Sequence, residues 1–289
     1  GSSLAGHTTM RTEADAVNRG ELRFDSRDAG WWSRVELGTF RLSNAVTGRL
    51  LFRPGSGGFR GLSGTLANAG RVEAELNSGL VLEGAYEGHG GVVIGDARFV
   101  RTALSLVQSP SEANTLILDA SENTLRTDVP SGYTLHVRGG GEGHAFLRSA
   151  RSFRNAGTIR LQSQNAGWIS AIEMPGPDGF GLENVGRIVV GQGSQGPRWI
   201  RGDLANRGVL QVEPGVTLEV QKAGGPLLEQ AAGSIEVDAL GSMVLDGGTF
   251  RFTGGRLQGP VYAVRSQIDV PGAGPEGQLI VCGDRSTLV

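Results

Sequence analysis

One short phrase occurs twice and carries the residues best suited to acid–base or metal chemistry. Glu87-Gly88-His89 recurs later in the chain as Glu142-Gly143-His144. A histidine beside a carboxylate can ligate zinc or act as acid and base. Neither phrase supplies a third ligand at a recognised spacing, so the pattern favours two glycine-rich turns. We therefore predict no metal site and no cofactor.

A second candidate chemistry is carboxylate catalysis on polysaccharides. Enzymes of that type place two or three acids on neighbouring segments facing one groove. The candidates are Asp25 with Asp28, and Asp238 with Asp246. None of them forms a close acidic pair, and aspartate is normal in turns. The sequence thus predicts no catalytic residue, although a polysaccharide-acting enzyme stays open as an alternative.

The tryptophans are the candidate ligand-binding residues. Their flat indole rings could stack on sugars, whereas tryptophan is more often well buried, so core packing is the favoured interpretation. The chain has four tryptophans, and all four are candidates: Trp31, Trp32, Trp168 and Trp199.

These candidates lie in a chain that repeats itself. An Asn-x-Gly phrase recurs before segments of alternating apolar and polar residues, and its asparagines are Asn18, Asn68, Asn155, Asn184 and Asn206. The glycines take a longer step and then a shorter one, from Gly20 through Gly48 to Gly70, and again from Gly157 through Gly186 to Gly208. Such steps suit a parallel β-helix, in which one coil needs roughly 20–30 residues.

The alternation predicts short strands with one face turned inward. The residues expected to point inward are Leu22, Phe24, Ile159, Leu161, Leu210, Val212, Ile235 and Val237. Asn and Gly tolerate left-handed backbone angles, which would place the phrase at corners, and stacked asparagines could bond one another. An antiparallel sandwich gives no reason for coil-length spacing, so the solenoid is favoured.

A longer repeat overlies the short one. Asp28-Ala29-Gly30-Trp31 matches Asn165-Ala166-Gly167-Trp168, and Leu62–Gly70 matches Ile200–Gly208 at nearly the same separation. We predict an all-β, right-handed parallel β-helix of about ten coils. Residues 1–17 are expected to be a cloning remnant and a cap. Residues 18–289 should form a single solenoid with related halves at 18–137 and 155–270, and the irregular stretch 84–128 allows an interruption.

Three phrases resemble the repeats of bacterial secreted β-solenoid proteins. They are Leu66-Ala67-Asn68-Ala69-Gly70, Phe153-Arg154-Asn155-Ala156-Gly157-Thr158-Ile159 and Leu245-Asp246-Gly247-Gly248-Thr249-Phe250. Autotransporter passengers and filamentous-haemagglutinin-like adhesins form the group they are similar to. The resemblance implies parallel β-helices displayed outside the cell as stalks or adhesive shafts.

Composition narrows the function classes. Lys and Arg number 27 against 29 Asp and Glu, and the arginines are dispersed, which argues against nucleic-acid binding. No apolar run is long enough to predict a membrane span, and the single Cys282 excludes an internal disulfide. We expect a non-enzymatic extracellular or cell-surface structural and adhesive module, with glycans or cell-surface polymers as partners. The alternatives are a polysaccharide-acting lyase or glycoside hydrolase and a phage tail-fibre or tailspike segment, and the oligomeric state is open.

Overall fold

The elements of the fold are all β-strands in the computed structural model, which describes residues 7–25, 31–54, 58–174, 181–271, 279–281 and 287–288. The described part contains no helix able to cross a membrane. The chain divides into an N-terminal unit (residues to 118, and 122–135) and a C-terminal unit (119–121, and 136 onward).

Between residues 33 and 108 of the N-terminal unit, long strands of 9–12 residues alternate with short strands of 4 residues. The strands are β1 (Thr8–Arg11), β2 (Ala16–Asn18), β3 (Glu21–Phe24), β4 (Ser33–Asn44), β5 (Arg49–Phe52), β6 (Arg60–Asn68), β7 (Arg71–Ala74), β8 (Leu80–His89), β9 (Val92–Gly95), β10 (Arg98–Gln108), β11 (Asn114–Asp119), β12 (Asn123–Leu125) and β13 (Tyr133–Gly139). Strands β4, β6, β8 and β10 stack in parallel, as do β3, β5, β7 and β9. The last residues of β11 and β13 belong to the other unit.

In the C-terminal unit a full coil has three short strands. They are β14 (Ala145–Arg148), β15 (Phe153–Asn155), β16 (Thr158–Ser163), β17 (Ser170–Glu173), β18 (Gly181–Asn184), β19 (Arg187–Val190), β20 (Arg198–Arg201), β21 (Asp203–Asn206), β22 (Val209–Val212), β23 (Thr217–Gln221), β24 (Leu227–Gln230), β25 (Ser234–Val237), β26 (Ser242–Asp246), β27 (Thr249–Phe252), β28 (Arg256–Gln258), β29 (Val261–Val264), β30 (Gln267–Asp269), β31 (Leu279–Val281) and β32 (Thr287–Leu288). Every third strand pairs in parallel, so β14, β17, β20 and β23 form one face.

The predicted fold class is confirmed: the described strands make about 11 turns of a parallel β-solenoid. Between residues 84 and 128 the strands still pair in parallel. There β10 shifts register against β8 between Phe99 and Thr102 and again between Leu106 and Gln108. The right hand of the helix stays a prediction.

The residues predicted to point inward form the core, but those of the first coil are less buried than the rest. Ile159, Leu161, Leu210, Val212, Ile235 and Val237 are buried. Leu22 and Phe24 are only half-buried, because β3 is the first strand of its sheet among the described residues. Phe24 still packs in register, with its ring stacked on that of Phe52 at 4.6 Å between centroids.

The corner glycines have a different physical reason from the one expected. Gly186 and Gly208 do not adopt a left-handed backbone. Instead, a Cβ on Gly186 would lie 2.2 Å from the carbonyl oxygen of Gly157, and one on Gly208 would lie 2.1 Å from that of Gly186. Glycine is required here because successive corners stack too closely for any side chain.

Candidate binding surface

The predicted asparagines of the C-terminal unit lie in one buried row. Asn155, Asn184 and Asn206 are in register on β15, β18 and β21. The amide of Asn155 donates to the side-chain oxygen of Asn184 at 2.8 Å, and Asn184 donates to Asn206 at 2.7 Å. Gln230 takes the fourth place and accepts from Asn206 at 2.7 Å.

A second row crosses the N-terminal unit. The Asn18 amide donates to Asn44 at 2.9 Å, Asn44 donates to Asn68 at 2.8 Å, and Asn68 donates to the Tyr86 hydroxyl at 3.3 Å. The sequence interpretation missed Asn44, although Gly48 at the end of its corner fits the glycine spacing. Each amide in both rows also donates to a main-chain carbonyl, as Asn44 does to Arg71 at 3.1 Å. These rows brace successive coils and present no group to a ligand.

Outside the rows, a histidine ring and a tryptophan ring meet at a steep angle in each unit and form what we term a histidine–tryptophan corner. In the N-terminal unit the His7 and Trp31 rings lie 5.0 Å apart at 68°. The main-chain N–H of Trp32 donates to His7 Nδ1 at 3.2 Å. Because Nδ1 accepts, a neutral His7 ring carries its hydrogen on Nε2.

The C-terminal unit repeats this corner. The His144 and Trp168 rings lie 5.1 Å apart at 76°, and the main-chain N–H of Ile169 donates to His144 Nδ1 at 3.0 Å. His7 and His144 have the same separation along the chain as Trp31 and Trp168. The long repeat therefore begins earlier than the sequence match indicated and includes the histidine.

An ion pair follows each corner at the same offset. Arg11 Nε lies 2.9 Å from Glu36 Oε2, and Arg148 Nε lies 3.0 Å from Glu173 Oε2. Both pairs bridge neighbouring strands in register, β1 to β4 and β14 to β17. The arginine beside each corner is thus held in an ion pair, and each carboxylate is shared with a second arginine, Arg34 in the first case and Arg201 in the second.

A buried arginine on the next coil holds the tryptophan segment in place. Arg60 and Arg198 are 1% and 2% exposed, and burial lowers the pKa of each guanidinium below its ordinary value. The Nη1 of Arg60 donates to the Gly58 carbonyl at 2.7 Å, and Arg198 bonds the Gly196 carbonyl in the same way.

The two glycines involved lie directly against the tryptophans. A Cβ on Gly58 would lie 1.7 Å from the Trp31 carbonyl oxygen, and one on Gly196 would lie 2.1 Å from that of Trp168. This Gly-x-Arg clamp was not recognised in the sequence. The available signal was its recurrence at almost the same separation as the long repeat.

The second aromatic ring of each corner differs in origin and in exposure: Trp32 is half-buried, whereas Phe146 is buried and lies under the Arg148 guanidinium at 5.2 Å. Trp32 lies 4.5 Å from the His7 ring at 33° and stacks on Phe59, which is 43% exposed. In the C-terminal unit Phe146 lies 6.0 Å from the His144 ring at 22°. Each imidazole therefore has one edge-on tryptophan and one more nearly parallel ring.

Trp199 stands apart from both corners. The Arg201 guanidinium lies over its ring at 4.2 Å, and its indole nitrogen is buried without a hydrogen-bond partner. By contrast, Trp168 is 37% exposed. Of these two predicted binding residues of the C-terminal unit, Trp168 is the more exposed, since Trp199 is half-buried.

The candidate acids are dispersed and held by partners. Asp25 lies 3.0 Å from Arg23, and Asp246 lies 2.5 Å from Arg265. Asp238 accepts the main-chain N–H of Leu240 at 2.9 Å. Asp28 lies outside the described residues.

Asp238 does share a shallow depression with two other acids. The depression has a volume of about 180 Å³ and is lined in part by Glu213, Glu236 and Asp238. Arg160 contacts Glu213 at 3.1 Å, and Ser234 donates to Glu236 at 2.8 Å. Each of the three acids thus has a hydrogen-bond or ion-pair partner.

The two Glu-Gly-His phrases are not structural equivalents. His89 lies 3.2 Å from Glu87 and 3.4 Å from Arg41, whereas His144 belongs to the tryptophan corner and has His7 as its counterpart. Within the described ranges no three His, Cys, Asp or Glu side chains cluster as metal ligands would. Cys282 lies outside those ranges.

Comparison of this chain with family models, with curated proteins and with solved structures gives no match.

Proposed function

We propose that this chain is a non-enzymatic structural and adhesive module of a bacterial surface protein, displayed outside the cell, that binds carbohydrate. The observation that carries the proposal is the pairing of a braced scaffold with outward aromatic corners. The resemblance to autotransporter passengers and filamentous-haemagglutinin-like adhesins, based on the Asn-x-Gly phrases, supports the same role.

The scaffold part rests on the interior of the coils. Buried side-chain amides cost free energy unless they are hydrogen-bonded, and here the asparagine N–H groups of each row are satisfied from one coil to the next, while the Asn155 oxygen at the start of the C-terminal row has no partner. Outward ion pairs repeat this bracing on the surface, as Arg49 does with Glu21 at 2.8 Å and with Glu73 at 2.5 Å. A stack built in this way suits a rigid carrier of surface sites.

The binding part rests on the corners. Phe59 and Trp168 are exposed and each contacts a further ring, Trp32 in the first case and His144 in the second, and contiguous apolar groups at a surface often mark ligand or partner sites. Aromatic rings with a nearby hydrogen-bond donor offer a sugar both an apolar face and a polar contact.

The enzyme alternative would use the acids of the depression. Glu213, Glu236 and Asp238 each have a hydrogen-bond or ion-pair partner, which does not favour proton transfer. The tailspike alternative makes a different demand, because it requires a trimer.

The test is retention of the purified chain on insoluble chitin, cellulose and peptidoglycan, with reducing ends measured in the supernatant. We expect retention on at least one polymer without new reducing ends. Steady release of reducing ends would replace the proposal with the enzyme. Absence of retention on all three would remove carbohydrate binding from it. Sedimentation equilibrium completes the test, since a stable trimer would favour the tailspike.

A further inference from the structure

We propose that the two histidine–tryptophan corners are equivalent binding sites, one in each unit, for uncharged β-linked sugars. The inference rests on the proposed carbohydrate-binding function and assigns its residues and its ligand class. The N-terminal corner consists of His7 and Trp31 with Trp32, and the C-terminal corner consists of His144 and Trp168 with Phe146.

Each corner has a hydrogen-bond donor at its surface, the Nε2–H of its histidine. Both imidazoles accept a main-chain N–H at Nδ1, so in the neutral ring Nε2 is the donor. Among the described residues neither Nε2 has a hydrogen-bond partner. His7 is exposed and His144 is half-buried, so this donor is available at the surface.

The histidine and tryptophan rings of each corner meet at a steep angle. At 68° and 76° the tryptophan stands nearly perpendicular to the imidazole. A pyranose placed in such a corner can lay its C–H face against one ring and accept the Nε2–H at a hydroxyl. A β-linked glucose or N-acetylglucosamine suits this best, because its equatorial substituents leave both faces apolar and flat.

The charged side chains beside the corners narrow the ligand class. The nearest repeated arginines, Arg11 and Arg148, are occupied by Glu36 and Glu173. Each of these carboxylates also contacts a second arginine, Glu36 with Arg34 and Glu173 with Arg201, so an acidic sugar would have to compete with Glu36 and Glu173 for arginines already held in ion pairs. The corners therefore favour neutral sugars over uronic acids.

The same main-chain support recurs at both corners. The Gly-x-Arg clamp fixes the tryptophan main chain in both units, with guanidinium groups that are almost fully buried. Sites that bind must hold their side chains in place before the ligand arrives. Two copies of donor, ring and clamp at matching offsets predict two sites of similar affinity.

The experiment is calorimetric titration of the full chain with chitotetraose, cellotetraose and tetragalacturonate. We expect one of the neutral tetrasaccharides to bind with a stoichiometry of two, and tetragalacturonate not to bind. His7→Ala and His144→Ala should each reduce the stoichiometry from two to one, and the double variant should lose binding. Trp199→Leu is the matched control and should keep both sites, since Arg201 already covers that ring.

Circular dichroism and melting of each variant show whether it is folded. Where a histidine variant unfolds, Trp31→Leu and Trp168→Leu replace it in the same design. Undiminished binding to the double variant would overturn the assignment, as would binding of tetragalacturonate alone or of no oligosaccharide. If the chain is still retained on polysaccharide in those cases, the proposed function stands and only the corners fail. If retention is also absent, both fail.

Discussion

Arg160 reaches over an intervening strand to Glu213. Its Nη1 and Nη2 lie 3.1 and 3.3 Å from the two carboxylate oxygens, although β16 and β22 are separated by β19. The guanidinium crosses at Gly191, where a Cβ would lie 2.6 Å from Nη2. The absence of a side chain at Gly191 is what gives this ion pair its path.

Gly191→Ala should therefore displace the guanidinium and weaken the ion pair. The clash involves the mobile end of a side chain, and the Arg160 side chain is 32% exposed. We expect a loss of at most about 1 kcal/mol in the free energy of unfolding, as for other partly exposed pairs. Urea denaturation measures it.

Two further variants test that explanation. In an Arg160→Gln background, Gly191→Ala should cost almost nothing, because the two changes act on one contact. Gly186→Ala should cost several-fold more than Gly191→Ala, since its methyl would meet the rigid Gly157 carbonyl at 2.2 Å. Equal losses at the two glycines would contradict the interpretation.

Asn184→Ala should destabilise the C-terminal unit by about 2–4 kcal/mol, because buried polar groups lose their partners. The variant removes the donor to Asn206 and to the Val209 carbonyl, and the acceptor for Asn155. Chemical denaturation compares it with Asn165→Ala, whose side chain is exposed. Similar stability of the two variants would show that the row contributes little.

Period-two alternation and glycine spacing were enough to predict the solenoid and most of its core. They place Ile159 and Leu210 inward, since the alternation records burial directly. They do not reveal Asn44, because its corner is longer than Asn-x-Gly. The reason for the corner glycines was also hidden, since close approach between coils is a tertiary property.

The histidine–tryptophan corners show a second limit of sequence interpretation. The Glu-Gly-His phrase pairs His144 with His89, whereas the structure pairs it with His7 as an equivalent. A single histidine is a weak signal by itself, and Trp31 is distant from His7 along the chain. Only the coil brings the centroids of their rings to 5.0 Å.

Alkaline pH should destabilise the N-terminal unit through its buried tyrosines. Burial raises the pKa of Tyr86 to about 12, and the hydrogen bond that Asn68 donates to its hydroxyl offsets only part of this. Burial also raises the pKa of Tyr133. A tyrosine in the unfolded chain has a pKa of about 10. The free energy of unfolding should therefore keep its full value below about pH 10 and decline as the pH rises towards about 12.

Urea denaturation across that range, with phenolate absorbance recorded in parallel, measures the effect. Tyr86→Phe should lower stability at neutral pH, because Asn68 loses an acceptor, and should make the alkaline decline shallower. A stability that is independent of pH over this range, or complete ionisation of the folded chain near pH 10, would contradict the assignment.

Ile159→Asp should destabilise the chain by several kcal/mol, roughly the range in which an unpaired buried charge falls. Ile159 is fully buried and lies in register with Ile188, which is also fully buried. Ile159→Val is the matched control, at about 1 kcal/mol. Because each coil contacts its neighbours, hydrogen exchange should accelerate first at β16 and β19. An Asp variant that melts like the parent would place Ile159 on the surface and shift the whole inward register by one residue.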